Sequence, residues 1–220
     1  MNTRNNDESL ALQAVAKRFT ATFDQSNRLR VRGKLIGVTV KSLKARAAET
    51  SAKPGLRFDK VVNWLISYLH SEFNRLVPDG STVLVSVTAP IRLAAKTASA
   101  VRDRTHALLR SSRRNAEEMI HGNDVHIRVL RGVPKRLPKL LAFVHNPTSD
   151  PILFFDIAGE FIRFLAADEG TTGEWLVLVS PLSPSYLQAY RSIYTQLGKA
   201  SPFEKVLVVF PNFHVELLSE

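Results

Sequence analysis

Four short runs constrain this chain more than anything else in it. TVLVSVT (82–88), LLAFVH (140–145), WLVLVS (175–180) and KVLVVF (205–210) are almost unbroken apolar stretches, and each meets a proline within a few residues, at Pro90, Pro147, Pro181 and Pro211. A strand buried on one face alternates apolar and polar residues, so an unbroken run of this length belongs in the middle of a sheet covered on both sides. Proline has no amide hydrogen with which to extend a ladder, and the runs are expected to end where the prolines stand. VHIRVLR (125–131) and HVELL (214–218) do alternate, which predicts half-exposed edge strands.

Between these runs the period changes to that of a helix, at about 91–110, 151–166 and 184–197. The last has Ser183 as a cap, Pro184 in the first turn, a stripe of Leu187, Tyr190, Ile193, Tyr194 and Leu197, and Gly198 at its end. Upstream, Leu12, Val15, Phe19 and Phe23 predict a helix over 7–23, with Asp7 or Ser9 as cap. Phe58, Val61, Val62, Leu65, Leu69, Phe73 and Leu76 form a continuous stripe over 56–80, stopped by Pro78 and Gly80. Between those helices, Arg28, Arg30, Arg32 and Lys34 alternate with Leu29, Val31 and Leu35, a strand period that puts the cations on one face. Lys41 to Thr50 reads as a basic helix. The expected fold is therefore α/β, a mostly parallel mixed sheet with antiparallel edge strands and flanking helices. Residues 1–80 are expected to form a mainly helical basic lobe, either separate or packed as part of one domain, and 81–220 the α/β core. At 45% apolar over 220 residues, the chain is able to bury a sizeable interior.

The net charge of +10 is unevenly spread. Residues 1–80 carry 14 basic and 7 acidic groups, 81–145 carry 12 and 4, and 146–220 carry 4 and 9. A basic face for nucleic acid or for an acidic protein is one consequence; solubility alone is the other. The absence of cysteine excludes disulfides, thiolate catalysis, zinc knuckles and iron–sulfur ligation. The N-terminus is polar, and no stretch approaches the roughly 20 apolar residues that cross a bilayer, so a cytoplasmic protein with no membrane partner is expected.

VTAPIRLAAKT (87–97) has the outline of a phosphate-binding loop, a buried strand followed by a helix and a Lys-Thr pair. The glycines that such a loop needs are replaced by Pro90 and Ala95, so backbone amides cannot wrap a phosphate there. Arg92 and Lys96 still fall one turn apart at the start of the expected helix, where its dipole disfavours cations, and this makes an anion site with Thr88 and His145 a candidate. If the four buried strands are parallel, their exits share a rim that also carries Asn146, Asp150, Ser180, Ser183 and Asn212, the usual ligand position in open α/β sheets.

Other constellations carry less. HGNDVH (121–126) lacks the spacing of a metal helix or a calcium loop, and its His121, Asp124 and His126 read as loop or surface residues. Asp156, Glu160 and Arg163 suit a surface ion-pair lattice. Glu169 to Gly173 reads as a turn, and no G-x-S-x-G elbow occurs. No cofactor, metal or catalytic residue is assigned.

Two functions follow as expectations. One is a non-catalytic module that engages nucleic acid or another anionic partner through Arg28, Arg30, Arg32, Lys34, Lys41 and Lys44. The other is an α/β enzyme acting on a small anionic or phosphate-bearing ligand at the strand-exit rim. Self-association of the acidic C-terminal part with the basic part of a second copy is a further possibility.

Overall fold

The computed structural model describes residues 3–24, 28–44, 60–145, 151–167, 174–198 and 201–218. In chain order the elements are α1 (Thr3–Arg18), β1 (Thr22–Phe23), β2 (Leu29–Val31), β3 (Lys34–Ile36), β4 (Val38–Ser42), α2 (Lys60–Leu76), β5 (Ser81–Thr88) and α3 (Ala94–Arg110). There follow β6 (Asn115–Ile120), β7 (Asn123–Arg131), β8 (Leu140–His145), α4 (Pro151–Ala167), β9 (Trp175–Val179), α5 (Leu187–Leu197), β10 (Lys205–Val209) and β11 (Val215–Leu217). The chain is α/β with mixed parallel and antiparallel pairing. Its contacts divide it into two compact units, 47–163 and the discontinuous pair 1–46 with 164–220.

The continuous unit is built on a sheet in the order β6-β7-β5-β8. β5 and β8 are parallel, while β5–β7 and β6–β7 are antiparallel. The two faces of this sheet differ in chemistry. Val83, Val85 and Val87 of β5 share one face with Val125, Ile127 and Val129, and with Leu140 and Ala142; Leu65, Leu69 and Phe73 of α2 and Ala98, Val101 and Leu108 of α3 join them in one core. The opposite face carries Ser86, Thr88, His126, Arg128 and His145, with Phe154 and Phe155 of α4 packed on Phe143.

The discontinuous unit holds a sheet in the order β11-β10-β9-β4 and a small sheet β1-β2-β3. β4, β9 and β10 are parallel, and β11 is an antiparallel edge. Ala11 and Val15 of α1 pack on Trp175, Val177, Leu207 and Val209. On the other face, Tyr190 of α5 meets Phe210 edge-on and shares a hydrogen bond with Ser180. Gly198 closes α5 with a positive φ of 57° while its amide reaches back to the carbonyls of Tyr194 and Thr195, as its position in the sequence implied.

Several expectations change. The four buried runs do not share one sheet: β5 and β8 pair in one, β9 and β10 in another, so the single rim is replaced by two separate exits. VHIRVLR lies in β7, an interior strand, because NAEEMI (115–120) folds back as β6 through the His121–Gly122 turn and covers its outer edge. The basic-apolar alternation at 28–35 is a hairpin turning at Arg32 and Gly33, both at positive φ. Cross-strand partners share a face. Arg30 therefore sits with Leu35, while Lys34 sits with Val31, and the cations are divided between faces. Lys41 lies within β4, where Val38 and Val40 alternate onto the core; residues 45–50 of the expected basic helix lie outside the described residues. α1 begins at Thr3, which places Asp7 and Ser9 inside the helix instead of at its cap.

Candidate functional site

The exit of β5 and β8 brings together two of the sequence candidates, Thr88 and His145, which are register partners. His145 is buried, with Ser86 Oγ 2.8 Å from Nδ1 and Thr88 Oγ1 3.0 Å from Nε2. Thr88 Oγ1 also donates to the carbonyl of Asp124 at 3.2 Å. A neutral ring uses all three contacts when Nε2–H donates to Thr88 and Nδ1 accepts from Ser86. Ser86 is fully buried, so this chain of bonds fastens three strands from inside.

Arg92 and Lys96 are placed differently from the sequence expectation. Helix α3 starts at Ala94, after Leu93 in a left-handed backbone, so Pro90 does not open it and Arg92 lies outside it. Asn123 grips the loop: its Oδ1 accepts from the Arg92 amide at 2.7 Å and its Nδ2 donates to the Arg92 carbonyl at 2.9 Å. The Arg92 side chain is exposed and runs over Gly122, where an added Cβ would come within 3.3 Å of it. Lys96 is exposed on the helix. Asn146 and Asp150 lie outside the described residues.

His126, expected in a loop, is buried on β7, with Asp124 Oδ2 3.2 Å from Nε2 and Glu117 Oε2 3.9 Å from Nδ1. Arg128, two residues on, pairs with Asp156 at 2.9 Å and stacks over Phe155 at 5.3 Å. Asp156 is thus held by a strand, whereas Glu160 is buried with Arg163 3.7 Å away. No group of three or more metal-ligating side chains occurs among the described residues.

At the opposite end of the same sheet the structure assembles a feature the sequence reading missed. β5 begins here, and Ser81 pairs with Arg131 at the end of β7. Arg131 Nη2 donates to the carbonyls of Leu108, Leu109 and Ser111, which brings the end of α3, and Arg110 with it, to this side. The Arg114 carbonyl accepts from Val129, fixing Arg113 and Arg114 alongside. Lys139 reaches Asn74 O at the end of α2, near Arg75, and with Lys135 it flanks Asp79. The hydrogen bond from Lys139 and the charges of Lys139 and Lys135 hold the Asp79 carboxyl below its usual range. With Arg136 in the turn before Leu137, this end gathers eight cations around Asp79 among the described residues, and all but Lys139 are exposed. The signal was present in the 12-to-4 charge count of residues 81–145, but only the fold gathers RSSRR (110–114) and the 131–139 segment at one end.

The N-terminal candidates are less concentrated. Arg28 donates its amide to Asp24 at 2.9 Å, Arg30 and Lys34 lie on opposite faces of the hairpin, and Arg32 sits in its turn. Lys41 and Lys44 belong to the separate strand β4 and the residues after it. The charge asymmetry of the sequence also closes on itself within this unit, because residues 1–46, with 10 basic and 3 acidic groups, share a sheet with 164–220, with 3 and 6.

Comparison with protein-family models, curated proteins and solved structures finds no match for this chain. No helix among the described residues is long and apolar enough to cross a membrane.

Proposed function

We propose that the protein is a non-catalytic module that binds nucleic acid through the basic end of the 47–163 unit. The observation that carries this reading is the gathering, among the described residues, of eight cations around Asp79 at that end, with Arg131 and Lys139 committed to backbone carbonyls and Arg110, Arg113 and Arg114 exposed around them. Exposed guanidinium groups suit phosphate oxygens in both geometry and charge, and each neutralised phosphate releases condensed counterions. Arg28, Arg30, Arg32, Lys34, Lys41 and Lys44 add positive charge to the other unit without forming one face. The alternative, an enzyme acting on a small anionic ligand, draws on Thr88, His145, Arg92 and Lys96 at the strand exit. Of the two hydroxyls beside His145, Ser86 is fully buried and Thr88 already donates its proton to the Asp124 carbonyl.

The test is fluorescence anisotropy of labelled single- and double-stranded DNA and RNA across a salt series. Affinity should fall steeply with salt, by about 0.9 logarithmic units per unit of log salt for each phosphate contacted in a duplex. Replacing Arg110, Arg113 and Arg114 together by glutamine should lower that slope by about 2–3. An absence of binding at low salt, or a triple variant identical to the parent, would remove the proposal. Retention of an acidic protein but not of nucleic acid would redirect it to that partner.

A further inference from the structure

The carboxyl ends of β4, β9 and β10, all parallel, open into a cavity of about 260 Å³. In open α/β sheets this is where ligands bind. Its walls are mostly apolar: Ala11, Leu43, Val179, Val209, Phe210 and Phe213. The hydroxyls that line it already have partners. Ser42 donates to Glu8 at 3.0 Å, and Ser180 accepts from the Leu182 amide at 3.0 Å and bonds Tyr190 at 2.7 Å.

One polar group is left over. Asp7 is exposed, lines the cavity, and makes no hydrogen bond or ion pair among the described residues. It lies beyond the first turn of α1, which holds no acidic residue, so the helix dipole does not account for its position. Among the described residues, no lysine, arginine or histidine lines the space. At the mouth, Phe213 is 52% exposed at a positive φ of 59°, with its amide donated to the Phe210 carbonyl at 2.8 Å. An exposed phenyl at the mouth is a surface over which a cation can lie.

We propose that this cavity binds a small organic cation, a primary amine carried on a single ring or short alkyl chain. The apolar walls take the body, and the ammonium pairs with Asp7 and lies against Phe213. A carboxylate or phosphate would meet an uncompensated negative charge. An uncharged ligand would gain nothing from Asp7, which stays hydrated. The site belongs to the unit formed by 1–46 and 164–220 and does not depend on nucleic-acid binding elsewhere in the chain.

The experiment is an amide-resolved NMR titration of the whole protein with three probes of the same body, phenethylamine, 2-phenylethanol and phenylacetate, near neutral pH. Phenethylamine should saturate and shift the amides of Ser42, Val179, Ser180, Val209 and Phe210. The alcohol should bind about tenfold more weakly, and phenylacetate should not bind. Asp7→Asn should weaken the amine about tenfold and leave the alcohol unchanged, and Phe213→Ala should weaken the amine in a protein with unaltered amide dispersion. Equal binding of amine and alcohol, an Asp7→Asn variant with parental affinity, or no saturable shifts at the five amides would each overturn the proposal. Failure of nucleic-acid binding would leave it untouched.

Discussion

Asn123 has no free polar atom. Its Oδ1 accepts from the Arg92 amide, and its Nδ2 lies 2.9 Å from the Arg92 carbonyl, from Thr97 Oγ1 and from the Ile120 carbonyl. Thr97, also buried, donates to that Arg92 carbonyl at 2.9 Å. One side chain thereby ties the loop before α3 to the β6–β7 turn. Asn123→Ala strands the Arg92 amide and removes a donor from a buried carbonyl, a loss of about 2–3 kcal/mol. Urea denaturation of parent and variant measures it; a difference under about 0.5 kcal/mol would show that the loop does not depend on this contact. Nothing in HGNDVH marks its asparagine as the structural residue. In one sequence a buried amide and a solvated turn amide are the same letter, and the histidines beside it draw the attention.

At the scale of elements, apolar periodicity identified α2, α3, α4 and α5 and the four buried strands, because each buries a continuous stripe or run. It failed where partners decide. β6 has only Ala116, Met119 and Ile120 as apolar residues and forms because β7 offers it a ladder. β7 alternates like an edge strand, yet its polar face is covered: Arg128 reaches Asp156 on α4, and His126 lies beside Asp124 of its own strand. The end of α3 likewise rests on a residue 20 positions on: the last carbonyls of a helix lack intrahelical partners, and Arg131 takes up three of them. Arg131→Met should destabilise the protein by about 1–2 kcal/mol and speed amide exchange over the last turn of α3, whereas Arg131→Lys keeps the charge without the planar fork and recovers only part of the loss. Exchange rates in that turn that are unchanged in Arg131→Met would refute the capping role.

For the whole molecule, the decisive fact is that one unit is a continuous stretch and the other is not. Residues 47–163 contain α2, α3 and the four strands β5 to β8 with a core of their own, so this fragment should fold alone, with dispersed amide resonances and a cooperative thermal transition. It should also retain salt-dependent nucleic-acid binding, since the basic end lies within it. Residues 164–220 alone lack β4 and α1, which cover one edge and one face of their sheet, and should stay unfolded or aggregate. A 47–163 fragment without a cooperative transition would show that the unit is not autonomous.

The sequence by itself determined which segments are buried and with what period, because burial demands apolar residues at fixed spacing whatever the partner. It also determined where strands stop, since proline ends a ladder locally, and it excluded thiol chemistry and a phosphate loop by composition and spacing. Only the tertiary structure decided that β5 and β8 belong to one sheet and β9 and β10 to another, that α3 starts beyond Arg92, and that cations from α2, α3, β7 and the 131–139 turn meet at one end. Those outcomes rest on hydrogen bonds and ion pairs between residues far apart in the chain, and no local period records them.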